Sequence, residues 1–379
     1  MGGMIQSRNI SRYGRTVAAP RTRTLILLAK GPDADAEERA DRGEIPRIEY
    51  VELARAIGAA TIIDFHDVEA SRHPAVRQAR ARGRLWGLAV LGMTKRREYD
   101  HFYVTGEDIG MPFGMMMKAV RDLGRVTMVV HHGGTPKRRI ILRAIGHAVY
   151  RNVIVLADRQ REILVSELGY PAHKVHFFHQ WLDARFYRPP TDSFARAGAR
   201  DVATSSYVFS CGRESRDYPS LQRAAAKLPY DFRVVASGWA PHAGFNSAQN
   251  ILPAPNVSLL ARLSYEDLRD TYARAQLVVV PINRVDYAAG VTVICEAMAM
   301  GKAIVTTDSP GIRDYVLPGK SGLAVPVGDS VALARAIDTL MKDDDLRARM
   351  GAHNRAWVEH VMSVDRYVER VAGLFGMTP

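Results

Sequence analysis

One continuous segment, residues 277–316, restricts the fold of this chain more than any other. It reads LVVVPINRVDYAAGVTVICEAMAMGKAIVTTDSPGIRDYV and contains a buried strand, a loop with Gly290, a short helix and a second strand. A helix that opens after such a loop offers backbone N–H groups and the positive end of its dipole, which suit a phosphate. Glu296, predicted in the first turn of this helix, can accept hydrogen bonds from ribose hydroxyls. The segment therefore predicts a nucleotide site.

Short apolar runs rich in β-branched residues alternate with helical patterns along the rest of the chain. We predict strands at 24–29, 61–65, 101–105, 126–130, 153–156 and 175–178, and a second series at 207–211, 232–237, 257–260, 277–281, 303–307 and 323–325. Such alternation predicts parallel sheets with crossover helices, so the predicted fold class is α/β. Residues 186–204, with adjacent prolines and scattered Gly, Asp and Ser, interrupt the pattern and predict a boundary between two domains.

The run Glu296-Ala297-Met298-Ala299-Met300-Gly301 resembles the donor-site signature of retaining glycosyltransferases of the GT-B fold, of the group 1 or family 4 type. In that signature a first Glu, which usually contacts the transferred sugar, precedes this Glu with seven residues between; here Ala288 occupies its place. The resemblance implies two Rossmann-like domains that face a central cleft. It divides the chain into a flexible basic arm at 1–23, an acceptor domain at 24–188, a donor domain at 205–355 and a final helix at 356–379 that packs back on the acceptor domain.

The resemblance also implies roles for residues of the donor domain. Gly290, Val291, Thr292 and Val293 match the positions whose backbone amides meet the diphosphate, and Glu296 matches the residue that holds the ribose. Without the resemblance, Gly290 is also consistent with an ordinary tight turn and Glu296 with a solvated carboxylate in the first helical turn.

Two arginines, Arg213 and Arg216, follow the strand predicted at 207–211 on a single loop. Because a guanidinium is permanently charged and can bind two phosphate oxygens at once, the pair could converge on a diphosphate. In the resembling family a Gly-Arg pair is followed shortly by Lys, so Arg213 matches the Arg and Arg216 replaces the Lys across a shorter loop. The alternative is that both arginines pair with Glu214 and Asp217 at the surface.

A histidine pair, His131 and His132, follows the strand predicted at 126–130. The resembling family often places a His here, pointing into the cleft near the transferred sugar, and His131 is the nearer match. A metal site would need a further set of ligands that the sequence does not offer, so none is predicted.

Four more polar residues are candidates for contact with the acceptor or the donor sugar. Glu107 and Asp108 follow a strand, where ligands of open α/β sheets bind, and could orient an acceptor hydroxyl. They could equally cap a helix that begins near Met111. Asp286 and Tyr287 stand just before the position of the absent Glu and could contact the sugar in its place.

The charge balance favours acidic partners, because 52 Lys and Arg against 40 Asp and Glu give a net charge of +12. Residues 72–97 mix arginines with Trp86 and aliphatic residues, as in a basic helix that lies on an anionic membrane or an internal helix with a charged face. The basic residues are otherwise scattered, so we expect no nucleic-acid partner. Two distant cysteines and the lack of a recognisable signal peptide predict a cytoplasmic protein that could also sit at the inner face of the membrane.

Together these features predict a bacterial glycosyltransferase, of hexosyltransferase type, that moves a sugar from a UDP- or GDP-linked donor to an acceptor hydroxyl. The acceptor is a small molecule or is lipid-linked. Retention of anomeric configuration is implied by the resemblance. Arginines and amides can stabilise the leaving diphosphate, so neither a metal nor a cofactor beyond the donor is expected. The alternatives are a sugar-nucleotide epimerase or hydrolase on the same fold, or a catalytically silent nucleotide-sugar binder.

Overall fold

The computed structural model describes residues 23–190, 206–236 and 254–376. The basic arm predicted at 1–23 lies outside these residues except for Arg23, and so does most of the boundary predicted at 186–204. The chain forms two compact units. Unit 1 contains the described residues up to Ala36, Ile48–Phe178 and the residues from Tyr367 onward, whereas unit 2 contains Glu37–Arg47 and His179–Arg366.

Unit 1 is built on a six-stranded parallel sheet. Its strands are β1 Thr24–Leu27, β2 Ala60–Ile63, β3 His101–Val104, β4 Val126–Val130, β5 Tyr150–Val155 and β6 Val175–Phe177. They lie in the order β2-β1-β3-β4-β5-β6. The α-helices in this part of the chain are α1 Ala36–Asp41, α2 Glu49–Ile57, α3 Phe65–Ala70, α4 Pro74–Arg82, α5 Arg84–Thr94, α6 Glu107–Ala119, α7 Pro136–Ile145 and α8 Asp158–Glu162.

Unit 2 is built on a second six-stranded parallel sheet. Its strands are β7 Tyr207–Cys211, β8 Asp231–Val235, β9 Val257–Leu259, β10 Ala275–Val280, β11 Ala303–Thr307 and β12 Gly322–Val325. They lie in the order β12-β11-β10-β7-β8-β9. The α-helices are α9 Tyr218–Ala225, α10 Tyr265–Arg274, α11 Val291–Ala299, α12 Ser330–Lys342 and α13 Asp344–Trp357, and α14 Val364–Leu374 follows.

The strands form where the sequence is continuously apolar and β-branched, because helices cover both faces of a parallel sheet. Every residue of β4, β7 and β11 is buried. The prediction of two α/β units with Rossmann-like parallel sheets is confirmed, and each of the twelve predicted strands is present in the described residues.

The single helix predicted over 72–97 is wrong. Gly83 separates α4 from α5 and has a φ of 144°, which no residue of a right-handed helix adopts. The two helices also differ in environment: α4 exposes Arg77 and Arg82, whereas α5 buries Leu88 and Leu91 in the core of unit 1. The described ranges contain no helix with the length and apolarity needed to cross a membrane.

Residues Glu37–Arg47 are attached to unit 2 through Arg47. Its guanidinium donates to Asp183 at 2.9 Å and to Asp365 at 2.8 Å, and its backbone N–H also donates to Asp183. The side chain of Asp183 is only 4% exposed. A buried carboxylate is destabilising unless a cation or hydrogen-bond donors compensate its charge. The ion pairs of Arg47 therefore bind this segment to the rest of unit 2.

Candidate functional site

The strand order of unit 2 has one topological switch point, between β7 and β10. From β7 the chain proceeds outward to β8 and β9, and it then returns to place β10 on the other side of β7. Open α/β sheets bind ligands beyond the carboxyl ends of the strands at such a point. The loop after β7 carries Arg213 and Arg216, and the loop after β10 leads to Gly290. The fold therefore brings together the two segments that the sequence predicted for the diphosphate.

Hydrogen bonds fix the loop after β7 against the chain that follows β10. The N–H of Asp217 donates to the carbonyl of Pro281 at 2.9 Å, and the N–H of Asn283 donates to the carbonyl of Ser215 at 2.8 Å. The Ser215 hydroxyl also lies 2.7 Å from the hydroxyl of Tyr287. These contacts hold the loop in one conformation and place Arg216 at the switch point.

The guanidinium of Arg216 lies between two glycines. Its Nε donates to the carbonyl of Cys211 at 3.1 Å and its Nη1 to the carbonyl of Glu214 at 2.7 Å. A Cβ at Gly212 would lie 2.1 Å from Nη2, and one at Gly290 would lie 3.0 Å from Nη1. Both glycines have positive φ, 106° and 79°. The side chain of Arg216 is buried, so a permanent positive charge is fixed beside the start of α11.

The start of α11 has the features of an anion site. Gly290 is its N-cap and makes no side-chain cap, and no acidic residue occupies the first turn. The amides of Val291, Thr292 and Val293 belong to the first turn, where a helix offers no carbonyl partner of its own. Arg213 is half-buried on the neighbouring loop. Amide donors, a helix dipole and the Arg216 guanidinium thus converge where the sequence predicted diphosphate binding.

Glu296 lies in the second turn of α11, and its predicted place in the first turn is wrong because the helix begins at Val291. The side chain is buried rather than solvated. Tyr187 donates a hydrogen bond to Oε1 at 2.9 Å, and Tyr272 donates one to Oε2 at 2.8 Å. Burial raises the pKa of Glu296 to about 7, against the lowering effect of the Tyr272 and Tyr187 hydrogen bonds and of the Arg216 charge.

The hydrogen-bonded group around Glu296 continues to Cys211, whose Sγ lies 3.1 Å from the Tyr272 hydroxyl. Burial raises the pKa of the Cys211 thiol to about 12, so it stays protonated and is not a nucleophile. Tyr187 and Tyr272 were not predicted. They lie 109 and 24 residues from Glu296 in sequence, and no local pattern marks them as its partners.

The two candidates before Ala288 occupy different environments. Tyr287 is buried, and its hydroxyl is engaged by Ser215, so it supports the loop after β7. Asp286 and Ala288 are half-buried on the same segment. Of the pair predicted to contact the donor sugar, Asp286 is the more accessible.

In unit 1, Glu107 binds the backbone that follows β4. Its two carboxylate oxygens accept hydrogen bonds from the N–H groups of His131 and His132, at 2.9 and 2.8 Å. Arg138 lies 3.4 Å from the same carboxylate. Because Glu107 is buried and its oxygens are engaged in this way, it positions the histidine segment rather than facing a ligand.

The helix predicted to begin near Met111 begins at Glu107, with Gly106 as its N-cap, so the alternative interpretation of Glu107 and Asp108 as N-cap residues is wrong. The helix thus begins about one turn earlier than predicted, and Pro112 lies inside it. Asp108 is half-exposed and accepts a hydrogen bond from Arg138 at 2.7 Å.

The imidazole of His131 is held at the same edge of the sheet. Its Nε2 lies 2.9 Å from the carbonyl oxygen of Thr105. A carbonyl can only accept, so Nε2 carries a proton and donates this hydrogen bond, and Nδ1 is the other polar atom of the ring. The buried Gln160, which no local sequence pattern indicates as a site residue, donates to the His131 carbonyl at 2.9 Å. His132 is half-buried beside it.

The residues that the structure describes contain no group of three or more His, Cys, Asp or Glu side chains arranged to hold a metal ion. Cys211 and Cys295 are both buried and unbridged. The polar groups at the switch point are therefore arginines, backbone amides and one buried carboxylate, a set that suits a phosphorylated ligand with hydroxyl groups.

The family model and the curated relatives that this chain matches are all named as glycosyltransferases. Residues 208–357 match the family described as glycosyl transferases group 1. Over 312 residues the chain is 32% identical to the GDP-mannose-dependent monoacylated alpha-(1-6)-phosphatidylinositol monomannoside mannosyltransferase of Corynebacterium glutamicum, covering 77% of this chain and 80% of that protein. Over 237 residues it is 27% identical to the D-inositol 3-phosphate glycosyltransferase of Xylanimonas cellulosilytica, covering 58% of this chain and 56% of that protein. The chain thus spans little more than half of the second relative.

Among solved structures, the fold is similar to that of HepE from Anabaena, crystallised with UDP-glucose. The TM-score is 0.69 at 17% identity, and the alignment covers 94% of this chain and 99% of that one. At this identity the likeness shows the fold alone, and the prediction of a GT-B fold is confirmed. None of these likenesses supports the epimerase, hydrolase or silent-binder alternatives.

Proposed function

We propose, because this chain belongs to the glycosyl transferases group 1 family, that it moves a sugar from a nucleotide diphosphate donor to an acceptor hydroxyl and that unit 2 binds the donor. The observation that carries the proposal is the contact of the Arg216 guanidinium with Gly290 at the uncapped start of α11. A buried cation beside a helix N-terminus leaves an excess of positive charge that a diphosphate would neutralise.

The proposed ribose ligand is Glu296. Each oxygen of a carboxylate can accept more than one hydrogen bond, so the contacts from Tyr187 and Tyr272 leave acceptor capacity for ribose hydroxyls. Since the two phenols fix the orientation of the carboxylate, little ordering would be needed when a nucleotide binds. One relative is named for a GDP-mannose donor and HepE was crystallised with UDP-glucose, which supports a UDP- or GDP-linked donor here.

In the proposed reaction the bond between the anomeric carbon and the diphosphate oxygen breaks, and the diphosphate leaves with the electron pair. The acceptor oxygen bonds to the same carbon with retention of configuration, and its proton passes to the leaving diphosphate. Arg216, Arg213 and the amides of α11 stabilise the charge that develops on that group, so the reaction proceeds without a metal. The lone pair on Nδ1 of His131 accepts a hydrogen bond from a hydroxyl of the sugar.

The decisive experiment is a screen of UDP- and GDP-sugars for thermal stabilisation, followed by transfer assays with the donor that binds. A ligand at 100 times its Kd should stabilise the folded protein by about 2.7 kcal/mol. We expect one donor class to bind, turnover to survive EDTA, and nuclear magnetic resonance to show a product anomer that matches the donor. A product that forms without an acceptor would instead identify an epimerase or hydrolase, and a protein stabilised by no nucleotide sugar would rule the proposal out.

The protein is also proposed to be cytoplasmic and to contact an anionic membrane through the region 72–97, because α4 exposes Arg77 and Arg82 and Trp86 is exposed at the start of α5. Flotation with vesicles that contain or lack anionic lipid tests this contact. Binding that requires anionic lipid and falls with salt is expected, and its absence would remove the membrane from the proposal.

A further inference from the structure

Unit 1 contains a groove of about 870 Å³ whose lining includes Arg82 and Trp86 of the region proposed to contact a membrane. The starts of three helices line it: α5 with Arg84 and Trp86, α6 with Asp108, and α7 with Lys137 and Arg138. The volume lies in the range of small-molecule sites, roughly 300–1,000 Å³. Every residue that lines it belongs to unit 1, so this unit alone forms the groove.

Part of the groove wall is apolar and open to solvent. Trp86 is 41% exposed and Met115 is 49% exposed, and Leu85, Met111 and Ile141 lie along the same wall. Large apolar side chains that line a concave surface together are a typical feature of binding sites, whereas single exposed ones are not. The wall therefore suits the hydrocarbon part of a ligand.

The rest of the wall is basic. Arg84 pairs with Glu69 and Arg138 with Asp108, but Arg82 and Lys137 have no acidic partner among the described residues. The helices α5 and α7 also begin without a side-chain cap and without an acid in the first turn. Cations at the positive end of a helix dipole are unfavourable on their own, and a bound anion would reverse the sign of that interaction.

We propose that this groove binds the acceptor, and that the acceptor carries a phosphate next to an apolar chain, as a lipid-linked phosphate does. The phosphate lies against Arg82, Lys137 and the start of α7, and the chain lies along Trp86 and Met115. This inference rests on the proposed function, because it names the class of acceptor for that reaction. A lipid-linked phosphate would contact both the apolar and the basic part of the wall. A sugar phosphate lacks the apolar chain and a neutral glycoside lacks the phosphate, so neither would contact both parts.

Calorimetry with the full-length protein tests the groove, using dodecyl phosphate below its micelle concentration as the probe. Inorganic phosphate and dodecyl glucoside serve as comparisons, because the first lacks the alkyl chain and the second lacks the phosphate. We expect dodecyl phosphate to bind at least ~10-fold more tightly than either, since charge-assisted hydrogen bonds and apolar burial act together. Equal affinity for all three, or no binding of dodecyl phosphate, overturns the proposal.

Variants locate the binding. Lys137→Glu and Trp86→Ala should each weaken dodecyl phosphate binding about tenfold, whereas Arg77→Glu, on the exposed part of α4 outside the groove, should change it less than about twofold. Lys137→Glu should not lower the melting temperature, because an acid suits the start of a helix, so a folding defect would not explain its loss of binding. If Arg77→Glu weakens binding as much as Lys137→Glu, the probe follows surface charge, as at a membrane, and the groove is not the site.

The test of the groove and the test of the donor site can fail independently of each other. Binding of dodecyl phosphate is measured without a nucleotide sugar, and thermal stabilisation by a nucleotide sugar is measured without an acceptor. A protein that binds donors but not the alkyl phosphate would retain the proposed function and lose the acceptor class. The converse result would keep the groove as a lipid-phosphate site and remove its assignment to glycosyl transfer.

Discussion

Tyr272 donates a hydrogen bond of 2.8 Å to Oε2 of Glu296, and both side chains are buried. Tyr187 donates to the other oxygen, so the carboxylate is fixed from two sides. In the sequence, Tyr272 lies 24 residues and Tyr187 lies 109 residues from Glu296. Burial opposes the negative charge while the two phenols favour it. The protonation state of Glu296 therefore changes near neutral pH, and this change makes the stability of the protein depend on pH.

The stability of the ligand-free protein should depend on pH through Glu296. Its pKa is raised in the folded protein from 4.5 to about 7, so its contribution to stability is complete below pH 4.5 and is lost as the pH rises toward 7. This rise in pKa corresponds to on the order of 3 kcal/mol. Glu296→Gln should remove most of the decrease in unfolding free energy that the rise in pH causes, as measured by urea unfolding at a series of pH values.

The matched control is Glu266→Gln, which changes an exposed glutamate in α10. It should leave the pH dependence of unfolding as it is in the parent protein. His101 and His176, whose pKa values are lowered by burial, change stability in the opposite direction over this range, so the test is the difference between variant and parent. If Glu296→Gln unfolds with the same pH dependence as the parent, Glu296 is not the titrating group.

Removal of either phenol should raise the pKa of Glu296 further, because each hydrogen bond stabilises the ionised carboxylate. Tyr187→Phe and Tyr272→Phe should each lower the free energy of unfolding by about 1–3 kcal/mol. If Glu296 binds ribose as an anion, KM for the donor should rise more than kcat falls, and the pH optimum of kcat/KM should move upward. Tyr265→Phe, at a half-exposed tyrosine, is the control; an equal effect there would indicate a general loss of packing.

The sequence predicted the sheets well, because apolar β-branched runs such as Val126–Val130 are buried on both faces and carry their signal locally. The turn at Gly290 and the helix start that follows it were predicted for a similar reason, since they are neighbours in the chain. The sequence placed Glu296 in the wrong turn, because Glu296 is the sixth residue of a helix that begins directly after Gly290, and a turn has only 3.6 residues.

Other features of the structure could not be predicted from the sequence, because they depend on tertiary contacts. Gly83 is compatible in sequence with one continuous basic helix, but it takes a φ of 144° between α4 and α5, and α5 then packs its apolar residues into the core. Glu107 was interpreted as an acceptor contact or a helix cap, yet it binds two backbone amides at the end of β4, 24 and 25 residues away. The tyrosines around Glu296 belong to the same class of long-range partners.

Gly290→Ala should disturb Arg216 as well as the backbone. A Cβ at this position would lie 2.6 Å from Ile282 Cδ1 and 3.0 Å from Arg216 Nη1, at a φ of 79°. We expect a loss of about 2–4 kcal/mol in stability and at least a tenfold rise in Kd for the nucleotide diphosphate. Isothermal titration with UDP or GDP measures the second effect.

Gly319→Ala is a matched control, because Gly319 has a φ of 78° and nothing lies within 4 Å of its Cβ position. It should cost only the backbone strain, about 1 kcal/mol, and leave nucleotide affinity unchanged. Equal nucleotide affinity in both variants would show that the contact between Gly290 and Arg216 does not shape the donor site.

The attachment of residues Glu37–Arg47 to unit 2 should depend on Arg47 far more than on the neighbouring surface pair. Arg47→Ala leaves the carboxylate of Asp183 buried with only backbone donors, so we expect a loss of about 2–4 kcal/mol in unfolding free energy. Arg185→Ala removes an exposed partner of Asp365, 3.4 Å away, and should cost less than about 1 kcal/mol. Chemical denaturation of the two variants distinguishes them, and limited proteolysis within 37–47 should increase only for Arg47→Ala. If the two substitutions cost the same, the buried pair contributes no more than a surface pair, and this segment is held to unit 2 by other contacts.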